Sequence, residues 1–312
     1  MQFNKQFWQD KRVVVTGGAG FLGQHLVRKL TSFNPRQIII PRSSQSDLRD
    51  YSQCMQVFKG KDIVIHLAAN VGGIGYNQAY PADLFDDNIL IGINCLRAAK
   101  AVGIKKFVII GTVCSYPKHV PVPFKEKDLW QGYPEETNAP YGIAKLMSLV
   151  QARAYRQQYG FNAIYLLQVN LYGPGDNFDS NSSHVIPAMI KKFVDAKNQQ
   201  ASSVAIWGTG RATREFLYVE DAVEGILLAA EKYNKKEPVN LGSGKEILIR
   251  DLANKIKLLT HYQGQIIWDK SKPDGQPKRK LDVSKAKKEF GFTAKTPFDA
   301  GLKKTLDWYL NQ

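Results

Sequence analysis

A chain of 312 residues, 44% hydrophobic and 23% charged, can bury a large core as one domain or as two joined lobes. Its formal charge of +15 comes without a basic–aromatic stripe and with acids interspersed among the bases, which points to anionic metabolites rather than nucleic acid. Three cysteines without metal-ligand spacing, and no segment near the roughly 18 apolar residues of a membrane span, set the expectation of free thiols, no metal, no membrane and a cytoplasmic location.

The first ten residues show no clear period. Arg12 to Thr16 then reads as a buried parallel strand, β-branched and continuous. It runs into Gly17-Gly18-Ala19-Gly20-Phe21-Leu22-Gly23 and an amphipathic helix that ends near Leu30. Glycines at 17, 20 and 23 allow a tight turn and close approach to a pyrophosphate at the helix N-terminus, and a second strand at Ile38 to Ile40 completes a βαβ unit. After that strand stands Pro41-Arg42-Ser43-Ser44, an arginine without the acid that would hold ribose hydroxyls, which suits the 2′-phosphate of NADP. A plain surface-loop arginine is the alternative.

Strands at Asp62–Leu67, Phe107–Gly111 and Ala163–Val169 alternate with helices at Leu84–Val102 and Tyr141–Tyr159. Such alternation predicts an α/β fold with a Rossmann-type, doubly wound parallel sheet. The stretch Asn88 to Leu96 is apolar nearly all round, so it needs burial on two sides. A homodimer through this helix and the Tyr141–Tyr159 helix is expected; burial within one large core is the alternative. Beyond Asn170 the texture becomes rich in turns. The expected division is a dinucleotide-binding lobe of residues 1–170 plus about 214–240, and a smaller α/β lobe of 171–213 plus about 241–312. In that scheme Arg214 to Tyr233 returns to the first lobe as a strand and helix.

Several positions could carry chemistry. Tyr141 and Lys145, four apart, share one helix face; Asn138 reads as the cap and Pro140 suits the first turn. A charged Lys145 is expected to lower the Tyr141 pKa from about 10. Thr112 and Cys114 follow a strand at its carboxyl end and, in extended backbone, face the same side. A turn-closing hydroxyl and a small buried thiol are their plainer readings. His184 opens an amphipathic helix, where a surface role is common. Trp207, Arg211, Arg214 and the run Lys278-Arg279-Lys280 offer stacking and anion-binding capacity, or solvated surface.

Together the glycine loop, the strand-end hydroxyl and Tyr141/Lys145 resemble an extended short-chain dehydrogenase/reductase. Val71-Gly72-Gly73-Ile74, Cys114 with Tyr116-Pro117, Asn170 to Pro174, Ser183 to Ala188, Arg214-Glu215-Phe216 and Ser271 to Gly275 narrow the likeness to the GDP-L-fucose synthase branch, over nearly the whole chain from Val13 to Trp308. The resemblance implies NADPH-dependent 3,5-epimerisation and 4-keto reduction of GDP-4-keto-6-deoxy-D-mannose. Tyr141 then protonates the carbon-4 oxygen, Lys145 holds the nicotinamide ribose, and Thr112, where the family usually has serine, bonds the keto oxygen. Cys114 is implied as base and His184 as imidazolium acid, with His184 or NADP as the positive neighbour of the thiol. The implied cofactor positions are Gly17, Gly20, Phe21, Leu22, Gly23, Arg42, Asp47, Leu48, Ala68 and Ala69, with Tyr141, Lys145 and His184. Val185, Lys192 (in place of a frequent arginine), Trp207, Arg214 and Arg279 match GDP-sugar positions. The alternatives are a related enzyme for another GDP-linked deoxy or heptose keto-sugar, and an NADP-sensing regulator without catalysis.

Overall fold

Three valines with no side open to water must lie inside a sheet, and the chain is built outward from them. The computed structural model describes residues 3–180, 182–272 and 274–312. Met1, Gln2, Asn181 and Pro273, the last within the Ser271 to Gly275 segment, lie outside the described residues. In its first half α1 (Lys5–Gln9) is followed by β1 (Arg12–Thr16), α2 (Phe21–Thr31), β2 (Gln37–Ile39), α3 (Tyr51–Phe58) and β3 (Ile63–His66). Next come α4 (Ile74–Ala79), α5 (Pro81–Ala101), β4 (Lys106–Thr112), α6 (Ala139–Tyr159), β5 (Ala163–Gln168) and β6 (Asn170–Tyr172). The second half holds α7 (Val185–Asn198), β7 (Ser203–Trp207), β8 (Thr213–Tyr218), α8 (Val219–Lys232), β9 (Val239–Leu241) and β10 (Glu246–Leu248). It ends with α9 (Ile249–Thr260), β11 (Gln265–Asp269), α10 (Ser284–Phe290) and α11 (Phe298–Leu310).

Six strands in the order β2-β1-β3-β4-β5-β9 form one parallel sheet, the doubly wound α/β arrangement expected from the alternation. Strands β3, β4 and β5 are buried along their whole length, as helices on both faces require. From β1 the chain moves one way to β2 and the other way to β3. That reversal opens a crevice at the carboxyl ends of β1 and β3.

The second half departs from expectation at β8. It pairs with β6 and β10 in a separate three-stranded sheet, while β7 and β11 make a third sheet of two strands. Within the expected returning segment, α8 and β9 do rejoin the main layer, and α10 packs there as well, while β8 stays apart. The reason lies in two polar side chains of β8. Arg214 donates to the Gln276 and Asp274 carbonyls, and Glu215 accepts from the Leu281 and Gly244 amides, so these buried charges find partners only there. The opening residues also show no period, yet α1 buries Trp8, whose Nε1 donates to Glu231 at 2.6 Å. One helical turn and a half is too short to display a period.

Helix α5 carries the apolar stretch Asn88 to Leu96, and its two sides fare differently. Leu84, Cys95 and Leu96 are buried, whereas Phe85, Leu90 and Ile93 stand 37–44% exposed. Two buried asparagines pin the inner side: Asn88 Nδ2 donates to the Leu84 carbonyl at 2.6 Å, and Asn94 Nδ2 to the Arg49 carbonyl at 2.6 Å. All three cysteines are free, with the Cys54 and Cys95 sulfurs 3.8 Å apart in the core. Among the described residues no helix is long and apolar enough to cross a membrane.

His66, at the end of β3, has its Nδ1 2.8 Å from Thr16 Oγ1, and burial, with help from the Lys145 charge, holds its pKa down to about 3. Unfolding returns it to 6.5, so between these values the unfolded chain binds a proton that the folded chain refuses. Stability therefore rises with pH across that window and is lost on acidification. Replacing His66→Gln should flatten the fall in stability between pH 6.5 and about 4.5 by roughly 1.4 kcal/mol per pH unit. Denaturant titrations at several pH values would read this, and an unchanged slope would remove His66 as its source.

Candidate active site

Backbone crowding shapes one end of the crevice. Gly17 has φ +68, and a Cβ there would lie 2.8 Å from the Ala68 nitrogen; at Gly23 it would lie 2.2 Å from the Gly17 carbonyl oxygen. Only glycine allows β1, β3 and the start of α2 to approach this closely. Gly20 sits at the N-cap and offers no side chain, so the first-turn N–H groups of α2 stay available to an anion. No acid follows β2, and the exposed Arg42 lines the same crevice. These features fit a dinucleotide carrying a 2′-phosphate.

The crevice opens into a cavity of about 1190 Å³ between the main sheet and the second-half elements. The implied cofactor and catalytic residues line it, from Gly17, Gly20, Phe21, Leu22 and Gly23 through Arg42, Asp47, Leu48, Ala68 and Ala69 to Thr112, Cys114, Tyr141 and Lys145. So do His184, Val185, Lys192, Trp207, Arg214 and Arg279. Asp47 is gripped by Arg49 at 2.7 Å, and Arg49 also reaches Asp87 at 2.9 Å.

Thr112 ends β4 in extended backbone as expected, but Cys114 does not lie in it. Thr112 caps a 3-10 turn over Val113–Ser115, and its Oγ1 accepts from the Cys114 amide at 3.1 Å. The Thr112 hydroxyl thus keeps its own hydrogen free to donate. Helix α6 presses on this turn: a Cβ at Gly142 would lie 2.4 Å from the Cys114 carbonyl oxygen, and Ser115 Oγ donates to the Gly142 carbonyl at 2.7 Å. Residues 27 apart in the chain are locked in register by that pair.

Tyr141 and Lys145 share the cavity-facing side of α6, with Pro140 in its first turn. Their electrostatics reverse the expectation drawn from spacing. Burial, then the nearby Cys114, pushes the Tyr141 phenol above its ordinary value of 10, and burial pulls Lys145 down to about 8. Desolvation outweighs the attraction of ammonium for phenolate, so Tyr141 is a neutral phenol at pH 7 and ready to give a proton. Asn138 occupies the N-cap but makes no side-chain cap bond. Its amide turns sideways instead, toward Glu135, Asn77 and Cys114.

The structure supplies a positive neighbour of the thiol that the resemblance did not name. Arg279, 6% exposed, donates from Nη1 to Cys114 Sγ at 3.4 Å. Within the run Lys278-Arg279-Lys280 it is the only member that lines the cavity. Burial first, and Arg279 second, lower the His184 pKa from 6.5, so its imidazole is mostly neutral at pH 7 rather than an imidazolium. Arg214 is likewise pulled down, to about 9, by burial and then by Arg279. Trp207 stands 44% exposed, with the Lys272 and Lys192 ammonium groups 5.3 and 6.0 Å from its ring centre. Lys192 Nζ donates to the Ala205 carbonyl at 3.0 Å.

Gln168 carries no motif that singles it out in the sequence, and Ser183 stands out only as the first residue of the Ser183 to Ala188 motif. Both line the cavity, and Gln168 Nε2 and Ser183 Oγ are buried without a hydrogen-bond partner among the described residues. A signal existed for the first: Gln168 is the one polar residue at the carboxyl end of an apolar, fully buried strand.

Comparison with known proteins agrees with this geometry. The NAD dependent epimerase/dehydratase family matches residues 13–242. A probable GDP-L-fucose synthase 1 from Oryza sativa subsp. japonica is 39% identical over 309 residues, covering 97% of this chain and 94% of that protein. Among solved structures, a GDP-6-OMe-4-keto-L-xylo-heptose reductase from C. jejuni superposes with a TM-score of 0.92 at 26% identity, covering 100% of this chain and 99% of that one. A GDP-L-fucose synthetase from Naegleria fowleri bound to NADP gives 0.87 at 30% identity, with 97% and 93% covered. The chain belongs to the NAD dependent epimerase/dehydratase family, on the branch that includes the GDP-L-fucose synthases.

Proposed function

We propose that the protein is an NADPH-dependent epimerase–reductase that converts GDP-4-keto-6-deoxy-D-mannose to GDP-L-fucose, by inversion at carbons 3 and 5 and reduction at carbon 4. One observation carries this reading: a thiol and an imidazole, Cys114 and His184, line the same cavity as the Tyr141/Lys145 pair and the Thr112 hydroxyl. A reductase alone needs only the last three. The relatives named for fucose synthesis support the same assignment.

In this reading the Gly17, Gly20 and Gly23 turn with the α2 N-terminus takes the pyrophosphate, and Arg42 takes the 2′-phosphate. Phe21, Leu22, Asp47, Leu48, Ala68 and Ala69 complete the cofactor wall, and Lys145 holds the nicotinamide ribose. NADPH, once bound, supplies the hydride. The chain's own residues handle protons. A keto group acidifies the hydrogens on both flanking carbons, because the charge left behind falls on one oxygen. Thr112 and the neutral Tyr141 donate to that oxygen and stabilise the charge as it develops. Cys114, with the Arg279 guanidinium against its sulfur, removes a proton from one ring face. His184 acts through its protonated fraction: that imidazolium delivers a proton to the other face and becomes the neutral imidazole that burial favours, and the inversion follows from the two groups acting on opposite sides. Tyr141 finally protonates the carbon-4 oxygen. Arg214, Lys192, Trp207 and Val185 bind the GDP portion.

The exposed apolar residues Phe85, Leu90 and Ile93 on α5 and Val150 and Tyr159 on α6 support a homodimer in which these two helices meet their counterparts. The reading is of a cytoplasmic enzyme.

Turnover in heavy water should leave deuterium at carbons 3 and 5 of the product, and its absence would sink the epimerase half. In the same assay Cys114→Ala should lower product formation by about 10²- to 10⁴-fold with NADPH binding retained; full turnover would remove Cys114 from the chemistry. Rates on several GDP-linked keto-sugars decide the substrate, and a clear preference for a heptose would favour the relation to the C. jejuni reductase. Tyr141→Phe should cut NADPH oxidation by a similar factor while Thr112 still supports hydrogen exchange at carbons 3 and 5, whereas equal loss of both would merge the two roles. Finally, Leu90→Asp with Ile93→Asp should convert a dimer to a monomer in sedimentation velocity; an unchanged sedimentation coefficient would place any interface elsewhere.

A further inference from the structure

Cys114 is gripped from two sides by groups of opposite character. Arg279 Nη1 donates to its sulfur at 3.4 Å. On the other side the Cys114 thiol lies 3.7 Å from Asn138 Oδ1. An asparagine amide can usually be turned over, which would bring its NH₂ to the sulfur instead. Here the neighbours forbid it. Asn138 Nδ2 donates to Glu135 Oε2 and lies 3.1 Å from Thr137 Oγ1, while Asn77 Nδ2 donates to Asn138 Oδ1 at 3.3 Å. A carboxylate has no hydrogen to give, so the amide nitrogen must face Glu135 and the oxygen must face the thiol. Glu135 is itself fixed, accepting from Thr137 Oγ1 at 2.7 Å. Both Asn138 and Glu135 are 5% exposed, and Asn138 does not make the helix cap that its place at the start of α6 would suggest.

We infer that Asn138, oriented by Glu135, is a positioning residue that holds the Cys114 proton on sulfur against the pull of Arg279, and so sets the pH at which the thiol gives it up. Arg279 favours negative sulfur; the Asn138 oxygen can only accept, so it favours the S–H form. The opposed pair would poise Cys114 to release and regain a proton within one catalytic cycle, which a thiolate held by two cations would resist. The other charged or titratable groups lining this part of the site are Tyr141, Arg214, His184 and Glu135; among the described residues the thiol hydrogen goes to Asn138 Oδ1 and to none of these. The role in the cycle rests on the functional reading above; the hold on the proton does not.

The test is the pH dependence of Cys114 alkylation by iodoacetamide, followed by mass spectrometry of the Cys114 peptide. Cys54 and Cys95 are fully buried and provide unreactive internal references. Losing an acceptor destabilises the S–H form, so Asn138→Ala should move the midpoint down by about half a unit to one unit, and speed alkylation below it about three- to tenfold. Glu135→Gln leaves the side chain's size intact but lets the Asn138 amide turn over and donate to sulfur, so its midpoint should fall as well. NADPH binding by fluorescence confirms that each variant is folded; Asn138→Leu, close to asparagine in volume and without an acceptor, decides the matter if Asn138→Ala does not fold, because Glu135→Gln also removes a negative charge that acts in the same direction. A midpoint that stays put or rises in a folded variant overturns the inference. Because the profile is read without sugar, a lowered midpoint in a protein that turns over no keto-sugar would reject the functional reading alone. An unmoved midpoint with normal turnover would reject this inference alone.

Discussion

The contact between Gly142 and the Cys114–Ser115 turn governs the rest of the site. A strand end and a helix start, supplied by distant parts of the sequence, meet backbone against backbone, with the Ser115 hydroxyl bonded to the Gly142 carbonyl. Any side chain larger than hydrogen at 142 would lift α6 off β4. Thr112, Cys114 and Tyr141 all sit within three residues of that contact, so their mutual positions come from main-chain packing and not from flexible side chains. Lys145, one turn further along, inherits the same register. It is backed by Tyr165, whose hydroxyl donates to the Lys145 carbonyl at 3.0 Å.

Burial sets the electrostatic character of the cavity. Lys145 is drawn to about 8, Arg214 to about 9, and His184 below 6.5, each chiefly by desolvation. Cations held at a loss in a poorly solvated cleft gain most from an anionic ligand, and a dinucleotide and a nucleotide diphosphate each bring several negative charges. The overall charge of +15 thus has a local expression at the site. The same burial keeps the Tyr141 phenol protonated, the form a proton donor needs.

Features that depend on neighbours along the chain are legible in the order of residues alone. The glycine turn after β1, the Tyr141/Lys145 spacing and the strand–helix alternation are local patterns with local causes. Features that depend on distant partners are not. Asn138 reads as a cap because capping is the local use of asparagine at a helix start, and nothing in the sequence reveals that Glu135 and Cys114 claim its amide instead. The Tyr141 shift inverts because its sign depends on burial, which spacing does not encode. Strand β8 looks like any returning strand until Arg214 and Glu215 are seen to need the Gln276 carbonyl and Leu281 amide. Arg279, by contrast, stands out as part of a basic run, but its selection over Lys278 and Lys280 follows from which side of an irregular segment turns inward.

Two of the joints between the two halves of the molecule are short. Only Val169 separates β5 of the main sheet from β6 of the second sheet, and β8 passes into α8 with no intervening residue. Phe216 and Tyr218 lie in the second core, while Ala222 to Ala230 lie in the first. Crossings this tight act as struts rather than hinges, because a hinge needs residues free to change their backbone angles. At these two places the chain path leaves the halves no slack to swing apart. One cavity lined by Gly17 on one half and Trp207 on the other is thus spanned by two joints that carry no slack.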